Sequence, residues 1–424
     1  MPAKRHTATR ACFLEGLMDH REIEVINKKV SLLFPFFLVL FEMAVYMSSH
    51  AYLPALPVVQ KEFVISQDGA MYTISVWFCA TWVLGLFLGS VANSFGRRPM
   101  LLFGSLTFCI GTLICMSTSD YRMFLCGRFL EGLAMVPIYI AGYASVHKLY
   151  DTRMSIRVIT VMLAVALLAP GFGTLFGAWC MMAYGWRMVF FFILLMGCAS
   201  MIGLWYKMPE SLQEKSPVNL VSTMKGYLDI MRDRTFFCTL TSIGLLYSIL
   251  VMWVVELPFI ISDTLNLPAS YYGWVQAIVF SNMAIFSGVA NYLYKRCRIS
   301  HVVDIGYVIL VVGILLFIIS SIYMWSWWYC VQAMIVVLVG YVFILGALNR
   351  LAMEIPSKES LGCKSALLVV VRGLYGFAGS YVIALLNNKT FLSLSLPMVC
   401  VTVLLLLFHK RQYHEMRLFF AQCS

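Results

Sequence analysis

Glu42 is the one acid in an otherwise uncharged apolar stretch from Leu32 to Ala55, LLFPFFLVLFEMAVYMSSHAYLPA. A carboxylate at bilayer depth is costly, so an acid placed there reads as part of an ion or substrate path. Taking a carboxyl out of water favours its neutral form, which suits a group that loads and releases a proton near neutral pH. The alternative is a protonated structural acid bonded to a neighbouring helix. Tyr46 follows one helical turn later and can share the face of Glu42, as lining or as packing. His50 comes a further turn on. Its ordinary pKa of about 6.5 suits a proton relay, but the nearby Tyr52 and Pro54 also fit a wet histidine at a helix end.

Three more sites place charge inside apolar runs. Glu256, in VVELPFI, precedes Pro258 and is either a second proton site or a group facing an outer vestibule. Arg372 lies near the middle of an apolar run and cannot escape by losing its proton. It needs a counter-charge, from a protein acid or from a bound anion. Arg128 and Glu131, in RFLEG, are spaced to pair on one helix face; such a pair either fixes helix positions or takes part in coupling. Arg350 sits near a helix end, where an arginine snorkels to the interface. The 13 cysteines are scattered without a CxxC pair and read as small hydrophobes. No metal site is expected.

These residues need a frame that crosses the bilayer repeatedly. Of 424 residues, 61% are hydrophobic and 12% are charged, whereas a soluble domain carries ~25% charged residues. Twelve stretches are long enough to cross ~30 Å of hydrocarbon: about 32–55, 70–92, 100–117, 121–146, 156–182, 186–206, 236–262, 271–294, 301–322, 326–353, 362–387 and 390–409. We number them spans 1 to 12. The expected fold is all-α, a polytopic membrane protein of two six-helix bundles. Its units are a cytoplasmic N-terminal tail (1–31), an N-terminal bundle (32–206), a cytoplasmic linker (207–235), a C-terminal bundle (236–409) and a cytoplasmic tail (410–424).

The basic residues orient this frame. With the N-terminus inside, 24 of the 31 Lys and Arg fall on cytoplasmic segments, and the outer loops hold only Lys61, Arg122, Arg187 and Lys389. The positive-inside rule therefore puts both termini in the cytoplasm. It also accounts for the net charge of +11 without invoking nucleic acid. No cleavable signal is expected, because the first apolar run begins after Lys28 and Lys29 and is a full span. The tail before it either lies on the anionic inner leaflet or is poorly ordered. Trp325, Trp327 and Trp328 read as an interfacial belt.

Three segments carry a more specific signature. The chain from Gly85 to Pro99 reads GLFLGSVANSFGRRP between spans 2 and 3, and span 4 holds RFLEG from Arg128. Span 5 holds Ala169-Pro170-Gly171-Phe172-Gly173-Thr174-Leu175-Phe176-Gly177, a proline–glycine run that bends a helix or lets it pack closely. In these segments, and at LFP and LFEMAVY of span 1, the chain resembles the major facilitator superfamily, in particular its drug/proton antiporters.

The resemblance implies proton-coupled export of a small amphipathic compound by alternating access, with the proton as coupling ion and no other cofactor. It implies that Glu42 falls on the span-1 acid of that group, Arg128 on its span-4 arginine, and Pro170, Gly171, Gly173 and Gly177 on its antiporter motif. Gly96, Arg97 and Arg98 fall on its loop 2–3 motif. The expected proton-coupling residues are Glu42, Glu256 and His50, and the expected substrate-binding residues are Glu42, Tyr46, His50, Glu256 and Arg372. Departures stand beside the matches. His50 replaces a second span-1 acid, and Asn93 and Ser94 stand where an acid and a base are usual. Arg372 stands where a neutral polar residue is expected.

A monomer in the inner (cytoplasmic) membrane, with a small-molecule substrate and the lipid bilayer as its partners, completes the expectation. Two rivals keep the fold: an exporter of siderophores or organic anions, and a nutrient–proton symporter. An enzyme is disfavoured. The nearest catalytic-looking pair, His147 and Asp151, sits in a loop too short for a lid. A receptor would bind ligand without gradient-driven flux. There is no GxxxxGK[ST] loop to bind a nucleotide.

Overall fold

The computed structural model describes residues 32–211, 220–323, 326–355, 361–386 and 390–422. The N-terminal tail and Trp325 lie outside the described residues. The twelve apolar runs become twelve helices long and apolar enough to cross a membrane: Leu33–Glu62, Gln67–Leu88, Arg97–Ser117, Tyr121–Leu149, Thr152–Tyr184, Trp186–Lys207, Arg234–Thr264, Ala269–Arg296, Ile299–Tyr323, Trp327–Glu354, Cys363–Leu385 and Phe391–Lys410. Only helices and closed barrels satisfy every backbone polar group in hydrocarbon.

Short polar residues start several of these helices. Asp120 accepts from the backbone N–H of Arg122 at 2.6 Å, Asp151 from Met154 at 3.0 Å and Asp233 from Phe236 at 2.8 Å. Each satisfies donors that a helix leaves unpaired in its first turn. Asp151 is therefore a helix cap. Gly185, with φ of 90°, makes the turn between spans 5 and 6, a backbone region that favours glycine.

The helices form two six-helix bundles. Across their interface, span 2 packs along span 11 and span 5 along span 8. Span 7 is the most thoroughly buried span, 94% of its apolar window lying inside the molecule. Three spans depart from regular α-helix, each next to a proline. Span 1 tightens to a 3₁₀ turn at Leu53–Ala55, around Pro54. Span 4 widens to a π turn at Ile138–Gly142, after Pro137, and span 7 widens likewise at Ile260–Thr264, after Pro258. Such turns absorb a lost hydrogen bond and re-aim the side chains around them.

Two elements exceed the sequence reading. The linker contains an amphipathic helix, Leu220–Arg232, that buries Tyr227 and Ile230 and packs against spans 2, 7 and 11. The last helix continues beyond the span to Gln422, into the residues read as a tail.

Candidate substrate and proton site

The π turn in span 4 sets the geometry of the centre. It carries Tyr139, and Tyr143 follows directly after it; their rings stack with centroids 5.3 Å apart and planes 1° from parallel. Both phenols reach span 1. The Tyr143 hydroxyl donates to Glu42 Oε1 at 3.0 Å, and the hydroxyls of Tyr139 and Tyr46 lie 2.7 Å apart. Glu42 is completely buried, and its Oε2 has no hydrogen-bond partner among the described residues. One carboxylate oxygen is thus satisfied and the other is waiting.

Arg372 closes the cluster from the other bundle. Its guanidinium donates to Asn349 Oδ1 at 3.0 Å, and Tyr139 lies within its electrostatic reach. Tyr46, Tyr247 and Tyr341 are also within its electrostatic reach. The sequence called for a counter-charge. Among the described residues no carboxylate forms an ion pair with Arg372; phenols and one amide surround it instead. Tyr46, Tyr139, Tyr143, Tyr247 and Arg372 all keep partial exposure although they lie inside the molecule. They therefore line a hollow shared by both bundles.

His50 is not at a wet helix end. Its Nδ1 lies 2.7 Å from Ser49 Oγ and 3.0 Å from the Tyr46 carbonyl oxygen, an arrangement satisfied by a hydrogen on Nδ1. Its ring meets Phe280 of span 8 edge-on at 6.0 Å. It also lines a cavity of about 20 Å³ with Phe78 of span 2 and Tyr247 and Val251 of span 7, room for one water. Glu256 is completely buried rather than facing a vestibule. It stands nine residues beyond Tyr247 on span 7, about 13 Å along the helix axis. The structure brings together Glu42, Tyr46 and Arg372, with His50 on the adjoining turn and Glu256 apart.

Arg128 and Glu131 form a fully buried ion pair. Arg128 also donates to the carbonyls of Ser48 in span 1, at 2.9 Å, and Thr73 in span 2, at 3.4 Å, and lies 5.0 Å from the Tyr52 ring centroid. One side chain ties three spans. Pro170 sits within an unbroken span 5, and the glycines after it face close neighbours. A Cβ on Gly171 would meet Phe280 of span 8 at 2.9 Å, and one on Gly173 would meet Met47 of span 1 at 3.6 Å. At Gly177 it would fall 1.8 Å from the Ala51 carbonyl oxygen, so no other residue fits there.

At loop 2–3, Gly96 adopts a φ of 109°. Glu210, just past span 6, accepts from the backbone N–H groups of Arg97 at 3.1 Å and Arg98 at 3.2 Å. Arg97 donates to the Ala144 carbonyl at 3.0 Å, and Arg98 to the Trp205 carbonyl at 2.7 Å. The side chain of Asn93 lies outside the described residues. Glu210 supplies an acid to this loop from a distant place in the chain.

Tyr139, Tyr143, Asn349 and Glu210 were not among the residues read from the sequence. Pro137 followed by two tyrosines four residues apart was the available signal for the first two. Pro209-Glu210 at the end of a span was the signal for the last. Among the described residues no three His, Cys, Asp or Glu side chains group to hold a metal ion.

Comparison with known proteins decides the family. The family model described as Major Facilitator Superfamily matches residues 38–380. The chain is a major facilitator. The match takes in the span-1 acid, all three motif segments and Arg372.

Among curated proteins, this major facilitator is 27% identical over 270 residues to multidrug resistance protein MdtM of Salmonella typhimurium, covering 63% of this chain and 65% of that one. It is 28% identical over 294 residues to the multidrug transporter MdfA of Yersinia pestis, covering 69% and 72% respectively. Among solved structures, a bacterial homologue of the human lysosomal transporter Spinster, inward-facing and unoccupied, superposes with a TM-score of 0.70. That match has 13% identity and covers 91% of this chain and 96% of that one, so it speaks to the fold alone.

Proposed function

We propose that this multi-pass membrane protein is a proton-coupled secondary transporter that exports small amphipathic compounds by alternating access. It would work in the inner membrane with both termini cytoplasmic, and the proton would be its only cofactor. The observation that carries the reading is Glu42. It is a fully buried carboxyl with one oxygen bonded to Tyr143 and one unsatisfied, set in a tyrosine cluster beside the hollow between the two bundles. A proton or a cationic group of cargo satisfies that oxygen, and only one of them fits at a time. Each occupant stabilises a different arrangement of the bundles, and a ligand shifts such an equilibrium by its difference in affinity for the two states. The multidrug relatives lend support to export and to a broad cargo range.

In this reading Tyr143 and Tyr46 position the acid, and Arg128 holds spans 1, 2 and 4 in register behind it. His50 and its single-water cavity provide a route for the proton between Glu42 and the far end of span 1. The test is flux in proteoliposomes. An imposed pH gradient drives substrate movement in the wild type, and Glu42→Gln retains substrate binding but loses the gradient response. A Glu42→Gln variant that couples as well as the wild type removes the mechanism. The observation favouring a second reading, an organic-anion exporter, is Arg372 with no acid paired to it among the described residues.

A further inference from the structure

Arg372 is hard to reconcile with a site that takes simple cations. A buried guanidinium carries five N–H donors and a permanent charge, and leaving that charge uncompensated is costly. Here its hydrogen-bond acceptor among the described residues is one amide oxygen, and the side chain stays partly open to the hollow. In the same tyrosine cluster Glu42 Oε2 is completely buried and without a partner among the described residues. Among the described residues no ion pair joins the two, and the stacked rings of Tyr139 and Tyr143 lie within reach of both. Tyr143 bonds the acid, and Tyr139 lies within electrostatic reach of the arginine.

We propose that the cargo of this site is an aromatic zwitterion. Its cationic end replaces the proton at Glu42, its anionic end rests on Arg372, and its flat body lies along the Tyr139–Tyr143 stack. The proposal rests on the proton-coupled reading above and specifies its substrate class. Linkage gives each simpler class a different sign. A bare cation competes with the proton at Glu42, but Arg372 repels it. A bare anion binds Arg372 best when Glu42 is protonated, so anion and proton enter together, which is the thermodynamics of symport. Only a molecule with both charges displaces the proton and also neutralises the arginine. The groups facing Glu42 are Tyr46, Tyr139 and Tyr143. Those facing Arg372 are Tyr46, Tyr139, Tyr247, Tyr341 and Asn349. None of these carries a fixed charge.

Three dyes on one xanthene frame test this in the detergent-solubilised full chain: a rhodamine free acid (zwitterion), its methyl ester (cation) and fluorescein (anion). Binding is read by fluorescence anisotropy, and proton exchange by pH change in weak buffer. The expectation is that the free acid binds tightest and releases protons, while fluorescein binds with proton uptake. Arg372→Gln should lower the preference for free acid over ester by about tenfold or more, the worth of a charge-assisted hydrogen bond. It should also strengthen ester binding. Arg372→Lys keeps the charge and should retain most of the preference, which guards against a folding defect. An unchanged preference in Arg372→Gln, or tighter binding of the ester than of the free acid by wild type, overturns the proposal. If Glu42→Gln still releases protons when the free acid binds, the coupling reading fails instead, whatever Arg372 does.

Discussion

Arg128 holds its place by three kinds of contact at once: an ion pair, two carbonyl acceptors and an aromatic face. Removing it leaves Glu131 buried without its cation, and breaking a buried pair costs ~3–5 kcal/mol because the surviving charge is uncompensated. Arg128→Met should therefore lower the thermal midpoint of the solubilised protein sharply. Arg128→Met with Glu131→Leu should recover much of the loss, since an apolar pair of similar volume replaces both charges. A thermal-shift series by size-exclusion chromatography decides this, and equal destabilisation by single and double variants sinks the account. Tyr143→Phe asks a finer question. It deletes one donor to Glu42 and leaves the ring stack, so cargo should still bind while the pH dependence of proton release moves. The charged members of this centre were legible in the sequence, because a charge in an apolar run is conspicuous. The tyrosines that connect them were not, because a tyrosine in such a run looks like packing until its hydroxyl is seen to meet another span.

Helices in a bilayer gain little from excluding water from each other, so they approach through small residues and shape. Span 5 displays this along its glycine run, and its contact at Gly177 leaves no room for a methyl group. Gly177→Ala should push spans 1 and 5 apart, at ~1–3 kcal/mol or more for overpacking. Gly288→Ala, in span 8, is the control, since a Cβ there meets nothing within 4 Å. It should be neutral or slightly stabilising, as alanine is the better helix former by ~1 kcal/mol. Comparable melting temperatures for the two variants would show that the close approach at Ala51 is soft. Apolar run length made the twelve spans readable within about a turn at each end, except that span 1 runs on about two turns past the expected end, to Glu62. The linker helix escaped notice because its residues are mixed in polarity, and only its burial against spans 2, 7 and 11 explains why it folds. The π turns escaped because a proline announces a disturbance without saying which way the following side chains will point.

At the scale of the whole molecule, the question is which contacts must break for the hollow to change sides. Spans 2 and 11 meet from the far end of the bundle inward. Tyr72 stacks on Tyr381 with centroids 5.8 Å apart, and the hydroxyls of Ser75 and Ser380 lie 2.8 Å apart. Deeper in, Gly376 packs on Phe78 and Gly373 on Trp82. Spans 5 and 8 meet at Gly171–Phe280 and at Gly273–Ala178. The Tyr72–Tyr381 and Ser75–Ser380 pairs join one bundle to the other at the end opposite the linker helix, about two turns beyond Arg372, while Gly373–Trp82 is level with the cluster. Alternating access requires at least the outermost of them to part, because an amphipathic molecule leaving the hollow toward that end has to pass between them. The serine pair is close enough for a disulfide to replace its hydrogen bond without moving the backbone far. Ser75→Cys with Ser380→Cys, in a background lacking the native cysteines, should cross-link under mild oxidation and lose transport. Dithiothreitol should restore it, and each single cysteine variant should transport with or without oxidant. Substrate binding in the cross-linked protein should survive, since the serine pair lies about two turns along span 11 from Arg372. A fully cross-linked protein that still transports would mean that spans 2 and 11 stay together throughout the cycle and that cargo leaves by another seam.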